Sequence, residues 1–148
     1  MSGIGLKTEV RNLEAIDENV AAMIAAAGDM TVLMDRIGGG LVASTQDRFE
    51  RGQGPDGVAW IPSERVLRTG GQTLVDKAHL VSSLTHIPGA DRVETGSNMV
   101  YAAIQHLGGP AGRGGATQLP ARPYLGFDAD DEAMIMEEIT AYYDEVLQ

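Results

Sequence analysis

The residues best suited to chemistry are three histidines, a run of acids and a pair of serines. Histidines bind a metal ion when two or more face one site, typically at positions i and i+4 of a helix or in compact pairs. His79, His86 and His106 do not have that spacing. We therefore interpret them as ordinary polar side chains and predict no metal site.

The acids of residues 128–132, Asp-Ala-Asp-Asp-Glu, raise the question of a calcium loop. An EF-hand loop needs glycine at its sixth position and glutamate at its twelfth. Counted from Asp128, those positions hold Ala133 and Ile139, so the motif fails. The acids instead suit the first turn of a helix, where the helix dipole favours negative charge.

The serines and the glycine-rich segment carry no catalytic motif. Ser82 and Ser83 are not in the Gly-x-Ser-x-Gly turn that exposes a nucleophile, and no partner is placed by motif to activate them. Residues 108–115 lack the Gly-Lys-Ser or Gly-Lys-Thr of a phosphate loop, so we interpret them as a mobile surface loop. The sequence therefore predicts no enzyme, no catalytic residue and no cofactor.

Composition suits one domain, residues 1–148, because 148 residues with 43% apolar content can build a core. The net charge is −10, which should repel phosphate backbones and argues against sequence-independent nucleic-acid binding. Residues 123–148 contain eight acids and no base, whereas residues 51–122 contain seven bases and five acids. The absence of cysteine fits a cytoplasmic life, and neither a secretory signal nor a membrane span is expected.

Periodicity predicts an α+β fold with long N-terminal helices, a small antiparallel sheet and a C-terminal amphipathic helix. Apolar residues at helical spacing favour helices over 12–27 and 30–51. The second of these crosses Gly38–Gly40, and each glycine costs about 1 kcal/mol inside a helix. One helix with a weak or bent centre, allowing another backbone to approach closely, is the first interpretation, and a break into two helices is the alternative.

The remaining elements follow from turn and cap signals. We expect a short strand over 6–10, a helical turn over 63–68 and a short helix over 77–84. Two strands should be joined at Pro88–Asp91, and a helix should run from an N-cap at Ser97 to Gly108. Residues 120–127 should be extended, because a residue before proline is pushed away from helical geometry. The last helix should span 129–146 and bury Ile135, Ile139, Tyr142 and Val146.

Trp60 ends a turn-forming segment, Pro-Asp-Gly-Val-Ala-Trp, and is the chain's single tryptophan. Either the turn folds back and packs Trp60 onto the sheet or onto the long helix near Phe49, or Trp60 is exposed for a partner. We favour the first, because burying a large aromatic ring pins an otherwise loose loop.

Three segments occur in a suggestive order: RFERGQGPDGVAW (48–60), VYAAIQHLGG (100–109) and PARPYLGF (120–127), followed by an acidic amphipathic helix. Over residues 36–146 this order resembles the phage virion morphogenesis family, the tail-completion proteins of Mu-like and related tailed phages. Gln105-His106 reverses the family's usual order, and Tyr124 replaces its usual phenylalanine. The segment KAHLVSSL keeps only Leu80 and Ser83 of the family pattern.

The resemblance implies a non-enzymatic structural protein of the virion at the head–tail junction, made in the host bacterial cytoplasm. Such a protein completes the tail or neck as part of an oligomeric ring and so allows head and tail to join. Its expected partners are copies of itself and other neck, connector or tail proteins, with DNA passing through an acidic ring that does not grip it. No specific nucleic-acid binding and no membrane contact are expected.

Two alternatives remain open at this point. One is a tail terminator or head-closure ring protein, and the other is a small non-phage adaptor that binds a peptide. Arg122 is expected to pair with an acid of its own chain or of a neighbouring subunit, and residues 108–118 to order at a subunit contact. The structural or interface candidates are Phe49, Trp60, Tyr101, Arg122 and Tyr124.

Overall fold

A long helix, α1 (Thr31–Arg51), forms the centre of the molecule. The computed structural model describes residues 4–9, 28–75 and 78–146, with residues 4–9 described by their backbone. The helix begins after Asp29, whose carboxylate accepts the backbone N–H of Thr31 at 2.9 Å. It ends at Gly52, which adopts a left-handed conformation and donates its N–H to the Arg48 carbonyl. The sequence expectation of one continuous helix is confirmed.

The glycines of α1 explain how the helix is packed. A Cβ on Gly38 would lie 2.5 Å from the imidazole of His86, and one on Gly40 would lie 2.6 Å from the sulfur of Met134. A Cβ on Gly39 would meet nothing closer than 3.9 Å. Two of the three glycines therefore make room for neighbouring side chains, rather than for a second backbone.

Two small antiparallel sheets flank the helices. In the first, β3 (Arg92–Ser97) lies between β1 (Ile4–Glu9) and β2 (Thr85–Pro88). Ile4 pairs with Ser97 and Thr85 with Gly96, and the β2–β3 connection is the turn expected from Pro88–Asp91. The second sheet is a hairpin of β4 (Gly109–Ala111) and β5 (Thr117–Leu119).

Within the described ranges, the other α-helices are α2 (Glu64–Thr69), α3 (His79–Ser82), α4 (Ala102–Leu107) and α5 (Ala129–Val146). The bounds of α5 are those expected from the sequence. Its buried residues include Ile139 and Tyr142, as predicted, and also Tyr143, whereas Ile135, expected to be buried, is only partly so. No helix in the described ranges is long and apolar enough to cross a membrane.

Buried apolar side chains form two clusters that share α1. The first cluster joins the N-terminal part of α1 to β3 and α5 through Met30, Leu33, Met34, Ile37, Leu41, Val93, Ile139, Tyr142 and Tyr143. The second cluster lies near the C-terminal end of α1 and comprises Phe49, Trp60, Leu80, Leu84, Ala102, Tyr124 and Leu125. The two clusters give the mixed α+β architecture that the periodicity predicted.

Two expectations about residues 97–120 are wrong. Residues 108–120 are not a loop, because β4 and β5 form a hairpin around a turn at Arg113–Gly115. The helix expected from Ser97 begins only at Ala102, because Ser97 ends β3 and its hydroxyl accepts the N–H of Met99 in a turn. The helix expected over 12–27 and the Val146 side chain lie outside the described residues.

Candidate functional site

Three of the aromatic candidates meet in the second cluster. The ring of Phe49 contacts Trp60 edge to face, with centroids 5.5 Å apart, and contacts Tyr124 at 5.2 Å. Phe49, Trp60 and Tyr124 are at most 6% exposed. This is the packing that the sequence predicted for Trp60 against Phe49, and it places Trp60 inside the chain rather than at a docking surface.

The turn before Trp60 carries this ring onto the proline-rich segment. The backbone N–H of Trp60 donates to the Gly52 carbonyl, and its indole Nε1 donates to the Pro123 carbonyl at 2.8 Å. A Cβ on Gly54 would lie 3.0 Å from that same carbonyl oxygen. The turn and residues 120–127 therefore pack closely, and glycine is required where they meet.

Hydrogen bonds hold both the backbone and the hydroxyl of Tyr124. Its hydroxyl donates to the Ala102 carbonyl at 2.8 Å, and burial raises the pKa of the phenol. Its backbone N–H donates to Nδ1 of His106 at 3.2 Å, and the N–H of Leu125 approaches the same nitrogen at 3.4 Å. Burial lowers the pKa of His106, which agrees with a neutral ring whose Nδ1 accepts.

Arg122 is buried without an acidic partner. Its Nε donates to the Ile61 carbonyl at 2.7 Å, and its backbone N–H donates to the Gln105 carbonyl. Burial lowers the pKa of the guanidinium. No acid among the described residues lies within ion-pair distance, so the expected pair with an acid of its own chain is not formed there.

Tyr101 lies apart from the other candidates. It is half-buried at the margin of the second cluster and precedes the first residue of α4. The structure therefore brings together Phe49, Trp60, Tyr124 and, through Ile61, Arg122, while Tyr101 only borders them.

Arg48 forms an ion-pair network with two acids at the start of α5, which the sequence did not reveal. Arg48 of α1 donates to the Tyr124 carbonyl at 3.0 Å, to Asp128 at 3.2 Å and to the buried Asp131. Asp128 and Asp131 also accept each other's backbone N–H, which forms a capping box at the start of α5. Burial raises the pKa of Asp128, but hydrogen bonds from Asp131 and Arg48 lower it by more.

His79 and His86 lie away from the aromatic cluster and from the ion pairs of Arg48. The ring of His86 contacts Asp35 of α1 at 2.8 Å, and His79 begins α3. Within the described ranges, no three histidine or acidic side chains form a metal-binding group. An open groove beside Arg48 mixes acids and bases from Asp47, Arg51, Asp56 and Asp130. We find in it no nucleophile with an activating base.

The segments quoted from the sequence thus converge on one internal junction. Residues 48–60, 101–109 and 120–125 supply the aromatic cluster and its backbone contacts, and the start of α5 supplies the acids that bind Arg48. The junction joins residues 48–60, 101–109 and 120–131, three segments that are distant in the chain, and most of its polar side chains bind groups within it.

Comparison with known proteins identifies the family of the chain. A family model described as "Phage virion morphogenesis family" matches residues 11–144. The chain is 33% identical to the Mu-like prophage FluMu G protein 2 of Haemophilus influenzae, over 93% of this chain and 96% of that protein. It is 35% identical to the putative capsid assembly protein G of Escherichia phage Mu, over 67% and 70% of the two chains. No solved structure matches. The chain therefore belongs to the phage virion morphogenesis family.

Proposed function

We propose that this protein is a structural component of the head–tail junction, where it completes the tail or neck as part of an oligomeric ring and allows heads and tails to join. The observation that carries the proposal is the family match over residues 11–144, which supports a role in phage virion assembly. The position at the head–tail junction and the oligomeric ring are more specific claims that we add to it. Membership of a phage family removes the non-phage adaptor from consideration.

The internal junction supports a structural role rather than an enzymatic one. Its most polar members are used for packing: Arg48 binds a carbonyl and two carboxylates, and His106 accepts backbone N–H groups. Groups engaged in this way are not available to bind or transform a substrate. A protein built like this acts through its outer surface.

A second candidate function is capsid assembly, because the phage Mu relative carries that description. The two functions predict that loss of the protein blocks different steps of particle assembly. Loss of a junction protein leaves filled heads and finished tails apart, whereas loss of a capsid assembly protein leaves heads malformed or absent.

The deciding experiment is electron microscopy of a lysate from phage that lack this gene, with the gene supplied from a plasmid as the control. Filled heads beside separate tails of normal length are the expected result. Tails of uncontrolled length would assign the protein to the tail terminator, and heads that retain no DNA would assign it to head closure. Malformed heads would support capsid assembly, and normal infectious particles would overturn the assignment to virion assembly.

A further inference from the structure

Two arginines of the internal junction are buried to a similar extent, but only one of them meets a negative charge. Arg48 is 4% exposed, and its amino groups bind the Tyr124 carbonyl and the carboxylates of two aspartates at the start of α5. Arg122 is 5% exposed, and no acid among the described residues binds it. The described part of the chain thus neutralises one buried guanidinium and leaves the charge of the other uncompensated.

The contacts of Arg122 leave the tip of its guanidinium free. Its Nε donates to the Ile61 carbonyl at 2.7 Å, which occupies the Nε edge of the group. Its two amino nitrogens have no hydrogen-bond partner among the described residues, yet they are not sealed from solvent. A guanidinium carries its donors in a planar fork, so the donors of both amino groups remain available to a ligand that approaches the tip.

Ile61 shows that this tip lies close to the surface of the molecule. The Ile61 carbonyl binds Arg122, while the residue as a whole is 61% exposed. A protein that covers Ile61 would remove the remaining water from the guanidinium. Ion pairs strengthen as water is excluded, and desolvated arginines are frequent among the residues that dominate protein interfaces.

The uncompensated charge of Arg122 is a cost to the folded chain. Taking a guanidinium out of water without a counter-charge disfavours its charged form, and burial accordingly lowers the pKa of Arg122. Natural sequences keep such local costs mainly at positions that serve a function. A negative group that arrives from outside the chain would offset this cost.

We propose that the two amino groups of Arg122 form a binding site for a carboxylate of another protein subunit in the assembling particle. The planar fork matches both oxygens of a carboxylate, which gives a bidentate, charge-assisted contact. A phosphate also fits an arginine, but a chain with a net charge of −10 repels the phosphate backbone of DNA. A protein carboxylate is therefore the ligand that this site suits.

Two sources can supply the carboxylate, a second copy of this chain or a different virion protein. A second copy has many acids to offer, since residues 123–148 contain eight acids and no base. In both cases the contact deepens the proposed function, since it rests on an assembly role and names a site through which the chain assembles.

Titration of the full chain with sodium acetate tests the binding chemistry directly. The signal to follow is the Nε–H of Arg122 in heteronuclear NMR spectra, which is assigned by its absence from Arg122→Lys. We expect this signal to shift and saturate when acetate replaces chloride at constant ionic strength. A signal that does not move, or one that sodium phosphate moves further than acetate does, would overturn the carboxylate site.

Arg122→Met separates binding from a structural role, because methionine keeps an unbranched stem and removes the charge. The melting temperature of this variant should stay within about 4 °C of the unaltered value, since the lost hydrogen bond and the removed charge act in opposite directions. Arg48→Met is the comparison and should melt at a much lower temperature, because it leaves Asp131 unpaired. An equal fall in both variants would show that Arg122 serves only the fold.

Complementation of phage that lack the gene measures the use of the site in assembly. Arg122→Met should fail to restore the yield of infectious particles, and Arg122→Lys should restore only a small part, because an ammonium group does not form the planar fork. Arg68→Met is the matched control, since Arg68 is an exposed arginine, and it should restore the full yield. Full yield with either Arg122 variant, or an equal loss with Arg68→Met, would overturn the inference.

Sedimentation velocity of the isolated chain over a concentration series identifies the source of the carboxylate. If a second copy supplies it, the unaltered chain self-associates and Arg122→Met associates at least about thirtyfold more weakly. If a different virion protein supplies it, Arg122→Met lowers the particle yield and leaves self-association unchanged. Both results support the site, and they differ in the subunit that carries the carboxylate.

The site and the proposed function can fail separately, because the phenotype of the gene deletion does not depend on Arg122. Unjoined heads and tails in the deletion, together with full yield from Arg122→Met, would leave the proposed function standing and overturn the site. Malformed heads in the deletion, together with lost yield from Arg122→Met, would overturn the head–tail function and leave the site standing.

Discussion

At the scale of single residues, Trp60 is held by its ring on one side and by its indole N–H on the other. The ring packs on Phe49, and Nε1 donates to the Pro123 carbonyl. The side chain therefore fastens the turn of residues 52–60 to the proline-rich segment. Its loss should be felt as lost stability of the isolated chain.

We expect Trp60→Ala to lower the free energy of unfolding by about 3–5 kcal/mol, because a buried aromatic ring leaves a cavity. Trp60→Phe is the comparison variant, since it keeps an aromatic ring but loses the indole hydrogen bond and part of the ring volume, so its loss should be smaller, at about 1–3 kcal/mol. Urea denaturation followed by far-UV circular dichroism measures both. Unchanged stability of the alanine variant combined with lost particle assembly would contradict the anchoring role.

Arg48 and Asp131 are buried together, so the removal of one leaves the other uncompensated. We expect Arg48→Met to cost about 3–5 kcal/mol of stability, the usual effect of breaking a buried pair. In Arg48→Met/Asp131→Leu the loss should be much smaller than the sum of the two single losses, because no buried charge remains. A double-mutant cycle by denaturant unfolding tests this, and additive losses would show that the pair is not coupled.

His106 gives the stability a pH dependence with a defined sign. Burial places the pKa of His106 in the folded chain below its ordinary value of 6.5. The unfolded chain therefore binds a proton first as the pH falls, so stability is full above about pH 6.5 and declines below it. The melting temperature of the unaltered chain should fall from pH 7 to pH 5 by more than that of His106→Asn, which retains an acceptor but does not titrate. Parallel curves would exclude His106 as the cause.

At the scale of elements, the three glycines of α1 are not equivalent. Gly39→Ala should raise the free energy of unfolding by about 0.5–1 kcal/mol, because alanine favours the helix and its Cβ meets nothing close. Gly38→Ala should lower it, since the new Cβ would press on His86 and Val93. Thermal unfolding of the two variants provides a matched comparison, and shifts of the same sign would contradict the packing described.

The elements that could be predicted are those whose own residues show a clear apolar periodicity and clear end signals. The helix α5 shows an apolar stripe and an acidic start, so its bounds follow from residues 128–146 alone. The hairpin of β4 and β5 has three-residue strands, one of them Gly-Pro-Ala, and so short a strand shows no alternation. Its pairing is set by tertiary context, which the sequence pattern does not display.

The same limit applies to the candidate site. The packing of Trp60 was predictable because a large aromatic side chain next to a turn gains most by packing on nearby apolar residues. The pairing of Arg48 with Asp131 joins residues 83 positions apart, and each side chain alone suits a helix terminus. Nothing local distinguishes a buried Asp131 from its exposed neighbours Asp130 and Glu132.

At the scale of the whole molecule, α1 contributes to both apolar clusters. Met34 and Ile37 belong to the first cluster and Phe49 to the second, so neither cluster can be lost without exposing part of the same helix. The described part of the chain should therefore unfold as one cooperative unit.

Fluorescence tests this cooperativity, because Trp60 is the single tryptophan and reports on the second cluster. Far-UV circular dichroism reports on α1 and α5 together. We expect the two signals to give the same midpoint in urea. A tryptophan transition that precedes the loss of helix would show that the clusters unfold separately.

The order of the partners of α1 along the chain has a consequence for synthesis. The helix α1 ends at Arg51, yet the first cluster is completed by Ile139 and Tyr143 of α5, which is translated much later. During elongation, the part of the apolar face of α1 that α5 covers therefore stays exposed until α5 has left the ribosome. A truncated product that lacks α5 exposes that face and becomes a substrate for chaperones and proteases.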